Sequence, residues 1–375
     1  MRRRSFIRLG MAAAGAAMLA ACDTAGPAGP GNSTSRSARR DDRSWVMPDE
    51  GDRHERTWMA FGASADIWGR RLLPEVQRNL AAVATAIARF EPVSMLVRPG
   101  DMATARDLIG AADVELVPVE IDDLWIRDTG PVFVADGTAR AGVDFNFNGW
   151  GNKQEHGDDA RVAEFVTARA GVESLRTDLV LEGGGIEVDG EGTAIITESC
   201  VLNDNRNPGW SKQQVEDELA ALLGIDKVVW LPGIAGRDIT DGHTDFYARF
   251  AGPGVVVAGL DNDPDSFDYD VTRAHLDILR GATDARGRRL RVEVMEGPST
   301  VGEQFASDDF AAGYINFYVC NGAVIAPEFG DPEADRAARD TLQRLFADRE
   351  IVQLNIDGIA AGGGGIHCAT QQQPA

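Results

Sequence analysis

Four short motifs hold the residue types that nucleophilic catalysis needs. They are Trp125-Ile126-Arg127-Asp128, Leu181-Glu182-Gly183-Gly184-Gly185, Asp241-Gly242-His243-Thr244-Asp245 and Gly362-Gly363-Gly364-Gly365-Ile366-His367-Cys368. A cysteine with a histidine suggests covalent catalysis, because the thiolate is the reactive form and a cationic neighbour favours it. The carboxylates of Asp128, Glu182 and Asp245 would oppose a thiolate unless the substrate is itself positive. A guanidinium meets that condition. It is planar and permanently charged, and its N–H groups pair with carboxylates two at a time. Aligned by two carboxylates, its central carbon can meet the Cys368 sulfur. The glycine runs let the chain turn tightly and approach a ligand closely.

Each residue alone has a plainer reading. Cys368 could be a buried small apolar residue, and His243 a structural histidine. Asp128 could pair with its neighbour Arg127, and Glu182 could cap a turn. Their spacing argues for a joint role. Asp128 and Glu182 are 54 residues apart, and Glu182 and His243 are 61 apart. His367, next to the nucleophile in sequence, reads as structural. Cys200 and Cys320 lie in strand-like segments and read as core.

The elements that must position these motifs repeat at nearly the same interval. From about residue 57 a pattern of extended hairpin, helix and strand recurs five times. The first unit has a strand at 57–61 with no clear partner before it. Its helix covers 70–90, with Leu73, Val76, Leu80, Val83, Ile87 and Phe90 at helical spacing. Strands follow at 93–97 and 114–119, with a short helix between them opened by Asp101. The second unit has a hairpin at 131–147, a helix at 158–169 and a strand at 174–181. The third has a hairpin at 186–197, a helix at 212–223 with Ser211 as N-cap and Gly224 as stop, and a strand at 227–231. The fourth has extended segments at 245–250 and 254–258, a helix at 265–280 and a strand at 290–294. The fifth has a hairpin at 314–326, a helix at 332–346 and a strand at 351–355.

No unit can bury its own apolar face, so neighbours must pack around a shared centre. A doubly wound α/β sheet is the alternative, but it predicts one strand per helix rather than recurring hairpins. The four motifs fall at unit junctions. Units arranged about an axis would therefore bring them together at one end of it.

The chain has 375 residues, of which 43% are hydrophobic and 26% charged, enough for a sizeable core. Its formal charge of -22 argues against nucleic acid as a partner and suits a cationic one, though solubility alone also explains it. Arg3-Arg4-Ser5-Phe6-Ile7-Arg8 is a twin-arginine pattern, and an apolar stretch too short to span a bilayer follows. It ends at Leu19-Ala20-Ala21-Cys22, a lipoprotein-type cleavage box. Residues 1–22 thus read as an export signal, with Cys22 as a lipid anchor and the only membrane contact. An ordinary signal peptide cut nearby is the alternative. Residues 23–44 read as a flexible tether and 45–375 as the catalytic domain. Beyond Cys22 the chain holds Cys200, Cys320 and Cys368, an odd number that excludes a disulfide framework and leaves a thiol free or paired outside the chain.

Residues 45–375 resemble the agmatine deiminase and bacterial peptidylarginine deiminase family. The resemblance rests on the first three motifs above, with Thr129-Gly130-Pro131 extending the first, and on Ile366-His367-Cys368 of the fourth. It also rests on Met47-Pro48-Asp49-Glu50, His54-Glu55-Arg56-Thr57-Trp58-Met59-Ala60, Asn203-Asp204-Asn205-Arg206-Asn207-Pro208 and Gln371-Gln372-Gln373-Pro374. It implies the pentein fold, a five-bladed α/β propeller, and hydrolysis with no metal or cofactor. By that likeness Cys368 attacks the guanidinium carbon and His243 is general acid and base. Asp128 and Asp245 hold the guanidinium, Glu182 orients His243, and Trp125 and Arg127 lie on the substrate side. The expected partner is a small cationic guanidine, agmatine or an arginine derivative, and a homodimer is compatible with the family. An arginyl peptide as substrate, a non-catalytic surface binder of cations and a cysteine protease are the competing readings. Two positions depart from the agmatine deiminase pattern. Gly365 stands where those enzymes usually carry Asn. Phe145-Asn146-Phe147-Asn148-Gly149-Trp150-Gly151-Asn152 replaces their Phe-Asn-Ala-Trp-Gly-Gly segment.

Overall fold

The computed structural model describes residues 44–302, 304 and 310–375. The export signal, and all of the tether before residue 44, lie outside the described residues.

The alternation of hairpins and helices produces five separate sheets. The first contains β1 (His54–Phe61), β2 (Val93–Val97) and β3 (Val114–Pro118) together with the last strand, β16 (Thr370–Pro374). The second contains β4 (Val132–Asp136), β5 (Ala139–Asp144) and β6 (Glu173–Arg176), and the third β7 (Ile186–Val188), β8 (Thr193–Thr197) and β9 (Lys227–Leu231). The fourth contains β10 (Ala248–Phe250), β11 (Val255–Leu260) and β12 (Arg291–Glu296), and the fifth β13 (Tyr318–Cys320), β14 (Ala323–Glu328) and β15 (Glu350–Asn355). Every sheet begins with an antiparallel pair and adds a parallel strand. A parallel neighbour requires a crossover, and a helix supplies it in each unit. These helices are Ala65–Ile87, Val162–Ala170, Lys212–Leu223, Asp268–Gly281 and Pro332–Leu345.

Local sequence sets the helix ends. Ser211 accepts from the Gln214 amide while the Gln214 side chain returns to the Ser211 backbone. Gly224 ends the same helix at φ 68°, a left-handed conformation that costs glycine little. Asp331 caps the last long helix, whose first residue, Pro332, has no N–H to leave unpaired. In the first helix Val76, Leu80, Val83 and Ile87 are buried, as their spacing predicts.

The missing partner of β1 is β16. Trp58 pairs with Gln371 and Met59 with Thr370. The C-terminal strand therefore supplies the hairpin that the sequence before residue 57 lacks. The units touch in succession: β16 packs on β4, the helix Asp268–Gly281 on β9, and the helix Pro332–Leu345 on β12. The second and third units share an apolar cluster that includes Val132, Val143, Ile186 and Ile196. The helix Ala65–Ile87 packs on β14 and β15, so the fifth unit meets the first and the ring closes.

Three expectations need correction. The strand expected at 174–181 stops at Arg176, because side chains bind the next backbone groups: the Thr177 hydroxyl accepts from the Leu179 amide, and Asn207 from Val180. The fifth hairpin starts at Tyr318 rather than at 314. Cys200 lies in a single helical turn, Glu198–Val201, and not in a strand.

Charged residues meet at the centre of the ring. Arg249 donates to Glu50 at 2.8 Å and to Glu187 at 2.9 Å. Glu50 also accepts from Arg127 at 3.1 Å and lies 2.9 Å from His367 Nε2. All are buried. A buried charge with its partner removed costs about 3–5 kcal/mol, so these groups hold one another in register.

Candidate active site

Each sequence motif lies where one unit hands over to the next. Asp128 sits on a helical turn, Ile126–Thr129, just before β4. Glu182 precedes the glycine turn Gly183–Gly185 that leads into β7. His243 and Asp245 flank the start of the turn Thr244–Phe246 before β10. Cys368 lies between β15 and β16. The structure brings all five together.

Gly184 marks the point of convergence. A Cβ there would lie 2.6 Å from His243 Nδ1, 2.9 Å from Asp128 Oδ1 and 3.2 Å from Asp245 Oδ2. His243 stands between two carboxylates, with Nδ1 3.7 Å from Asp128 Oδ1 and Nε2 3.4 Å from Glu182 Oε2. Burial opposes its charge, but Asp128, Cys200 and Glu182 outweigh burial and raise its pKa well above 6.5. Both ring nitrogens are then donors. Glu182 is fully buried, yet its pKa falls, because His243 and Arg206 together overcome the burial penalty. Arg206 Nε lies 2.9 Å from both Glu182 oxygens.

Asp128 and Asp245 differ. Asp128 Oδ1 accepts from the Gly184 amide at 3.0 Å and Oδ2 from the Trp150 indole at 2.9 Å. Burial first, then Asp245 and Glu182, still push its pKa up. Asp245 Oδ2 is 2.8 Å from His367 Nδ1, and the pairing with His367 and the field of His243 lower its pKa despite burial. Asp245 Oδ1 is buried with no hydrogen-bond partner. An ionised buried oxygen without a donor is costly, so it is an acceptor waiting for a ligand.

Cys368 Sγ is 3.5 Å from Asp245 Oδ2 and 3.3 Å from Asn316 Nδ2. Burial, then Asp245 and Asp128, raise its pKa well above 9.0, so the thiol keeps its proton when the site is empty. His367, read as structural, bridges Asp245 and Glu50 and ties the site to the central charges. Trp125 is buried beside the glycine run: a Cβ on Gly364 would overlap its ring, and Trp68 packs against it at 5.7 Å. Arg127 departs from its expected place on the substrate side. Its guanidinium is committed to Gln372, Glu50 and the His367 carbonyl, which makes it a framework residue.

Four neighbours had no site role in the sequence reading. Asn316 accepts from the His367 amide at 3.0 Å and places its amide on the Cys368 sulfur. A Cβ on Gly365 would overlap Asn316 Oδ1, so the glycine and the asparagine share one space. Trp150 reaches Asp128 from the segment that departs from the agmatine deiminase pattern. Cys200 donates toward Glu182 at 3.6 Å. Arg206 lay in a quoted motif, but nothing local to it names Glu182 as its partner. Among the described residues, one group has metal-ligand spacing: Glu182, Cys200 and His243, with their ligand atoms within 4.8 Å of one another.

Known proteins give this geometry a family. The family model for the Porphyromonas-type peptidyl-arginine deiminase matches residues 46–374. A relative from Streptomyces coelicolor is 47% identical over 339 residues, covering 88% of this chain and 98% of its own. The agmatine deiminase of Pseudomonas aeruginosa is 39% identical, covering 88% and 95%. Among solved structures, the agmatine deiminase of Enterococcus faecalis superposes with a TM-score of 0.82 at 33% identity, covering 88% and 96%. The fold is accordingly the five-bladed α/β propeller of these enzymes, and the protein is a hydrolase of amidine carbon–nitrogen bonds. With a family model spanning nearly all its described residues and relatives far above the level of shared fold alone, the chain belongs to the Porphyromonas-type peptidyl-arginine deiminase family, together with the agmatine deiminases.

Proposed function

We propose that the protein hydrolyses agmatine, or a closely related small guanidine, to a ureido product and ammonia through a covalent intermediate on Cys368. With agmatine the product is N-carbamoylputrescine. The observation that carries this reading is the unpartnered Oδ1 of Asp245, whose other oxygen lies 3.5 Å from the Cys368 sulfur.

A guanidinium donates to Asp245 Oδ1 and pairs with Asp128. Its charge offsets the two carboxylates that hold the thiol protonated, so substrate binding itself favours the thiolate, and the thiol proton passes to water. The sulfur attacks the central carbon and forms a C–S bond. The imidazolium of His243 gives its proton to one terminal nitrogen, and ammonia leaves as that C–N bond breaks. His243, now neutral, takes a proton from water, and the hydroxide adds to the amidino carbon. The C–S bond breaks, the hydroxyl proton returns to sulfur, and the ureido product departs. Glu182 orients His243 throughout and favours its charged state.

Burial requires a guanidinium carried on a slender arm, as agmatine carries it. Cys368 is 7% exposed and Asp245 0%. The peptide reading is supported by the family name and by the export signal. That signal, Arg3-Arg4 with Cys22 behind it, supports a lipid-anchored protein outside the cytoplasm. Cell fractionation tests it: recovery of the full-length chain in the cytoplasm alone overturns export.

A substrate panel of agmatine, free arginine and arginyl peptides tests the activity. Ureido product and ammonia should form from agmatine, and Cys368→Ser should lower kcat/KM at least about 10³-fold. Citrulline from peptides with no turnover of agmatine selects the peptide reading. Binding of agmatine without turnover selects a non-catalytic binder.

A further inference from the structure

The proposed reaction uses His243 and Glu182 but has no task for Cys200. Its sulfur is fully buried against both. Burial raises its pKa, and Glu182 adds to the shift, so the thiol is no nucleophile as it stands. Its arrangement with the other two residues suits a different task.

We propose that Glu182, Cys200 and His243 form a three-ligand site for one zinc-type divalent ion, whose binding competes with catalysis. Zinc binds carboxylate oxygen and imidazole nitrogen at about 2.0 Å and thiolate sulfur at about 2.3 Å, in tetrahedral geometry. Tetrahedral angles at those bond lengths set ligand–ligand edges of about 3.3 Å between nitrogen and oxygen and about 3.5 Å between sulfur and oxygen. Here His243 Nε2 lies 3.4 Å from Glu182 Oε2, and Cys200 Sγ lies 3.6 Å from the same oxygen. Two of the three edges thus match a zinc tetrahedron, and all three ligand atoms lie within 4.8 Å of one another. Glu182 and His243 come from two unit junctions and Cys200 from the helical turn after β8.

The ligands are also pre-oriented. Arg206 grips both Glu182 oxygens, and the carboxylate keeps further lone pairs for a metal. Thiolate with imidazole selects zinc or cobalt over calcium and magnesium, which want oxygen ligands. Charge is conserved on entry. The ion brings two positive charges, while the imidazolium proton of His243 and the thiol proton of Cys200 leave to water. Arg206 and the neighbouring carboxylates therefore face the same net charge before and after. A metal-bound His243 cannot donate to a leaving amine. That consequence rests on the deiminase reading, whereas binding does not.

Cobalt titration of the full chain reports the site directly, since a cobalt–thiolate bond absorbs in the near ultraviolet. The wild type and Cys368→Ala should each take one equivalent of Co²⁺ with that absorption, and Zn²⁺ should displace it. Cys200→Ser and Cys200→Ala should lose the absorption and bind Zn²⁺ at least about tenfold more weakly. Circular dichroism checks that they fold. If they do not, the double variant Cys320→Ala with Cys368→Ala leaves Cys200 as the one thiol after Cys22. Absorption in that variant supports the site, and its absence overturns it. Loss of absorption in Cys368→Ala, its retention in the Cys200 variants, or no binding to the wild type each overturns the proposal. A protein that binds Co²⁺ as described yet turns over no guanidine keeps the metal site and loses only the activity reading.

Discussion

A side chain on Gly184 would need space that three groups of the candidate site occupy. Alanine there would push on His243, Asp128 and Asp245 at once. A displacement of about 1 Å in such a site costs about 100-fold in rate. Gly184→Ala should therefore lower kcat/KM on agmatine by at least about 100-fold, measured by steady-state ammonia release, with circular dichroism as the check on folding. Cys368, His243, Glu182, Asp128 and Asp245 were legible as candidates because their chemistry is local: a thiol, an imidazole and carboxylates, each in a glycine-rich or polar junction. Arg127 was expected on the substrate side because an arginine beside a candidate aspartate says nothing of which way its guanidinium turns. Asn316 escaped notice, and Cys200 was read as core, for the same reason. Their meaning comes from residues 52 and 18 positions away, to which no sequence pattern connects them.

At the scale of elements, the segment after the tether is a structural member. Trp45 and Met47 are buried in the cluster around Leu219 and Leu223. Val46 exchanges backbone hydrogen bonds with Ala135. Glu50 then joins Arg249, Arg127 and His367. Arg249, His367 and Arg127 together hold the Glu50 carboxyl well below the usual range despite its burial. Glu50→Gln leaves those cations short of a charge and should cost about 3–5 kcal/mol, read from urea unfolding. The segment 145–152 shows a different device. Asn146, Trp150 and Asn152 adopt φ of 55°, 54° and 60°, and for tryptophan the left-handed region costs about 1–2 kcal/mol. The bond from its indole to Asp128 is what that strain sets in place. The helices and hairpins were legible from periodicity and caps. The ring-closing strand was not, because β1 and β16 pair across more than 300 residues and a run of glutamines carries no strand signal.

The whole molecule carries its acidity inward as well as on its surface. Burial, the leading cause at each, pushes Asp49 up to about 7, Asp159 to about 8 and Asp268 to about 7. In the unfolded chain each has its ordinary value near 3.8. The folded state thus binds these protons more tightly. Their contribution is complete below about 3.8 and is lost as pH rises through the folded values. His243, raised above 6.5, adds a loss of the same sign at higher pH. Urea midpoints should therefore fall from pH 5.5 to pH 8.5, and a rising midpoint would contradict the assignment.

The pairing of β1 with β16 also governs when the enzyme comes into being. The strand that closes the ring begins two residues after Cys368. A ribosome must make the other four sheets before the first sheet has all its strands. Cys368 and the closing strand emerge together, after the other four units. A chain released before residue 368 lacks both, so it has neither the strand that pairs with β1 nor the Cys368 sulfur.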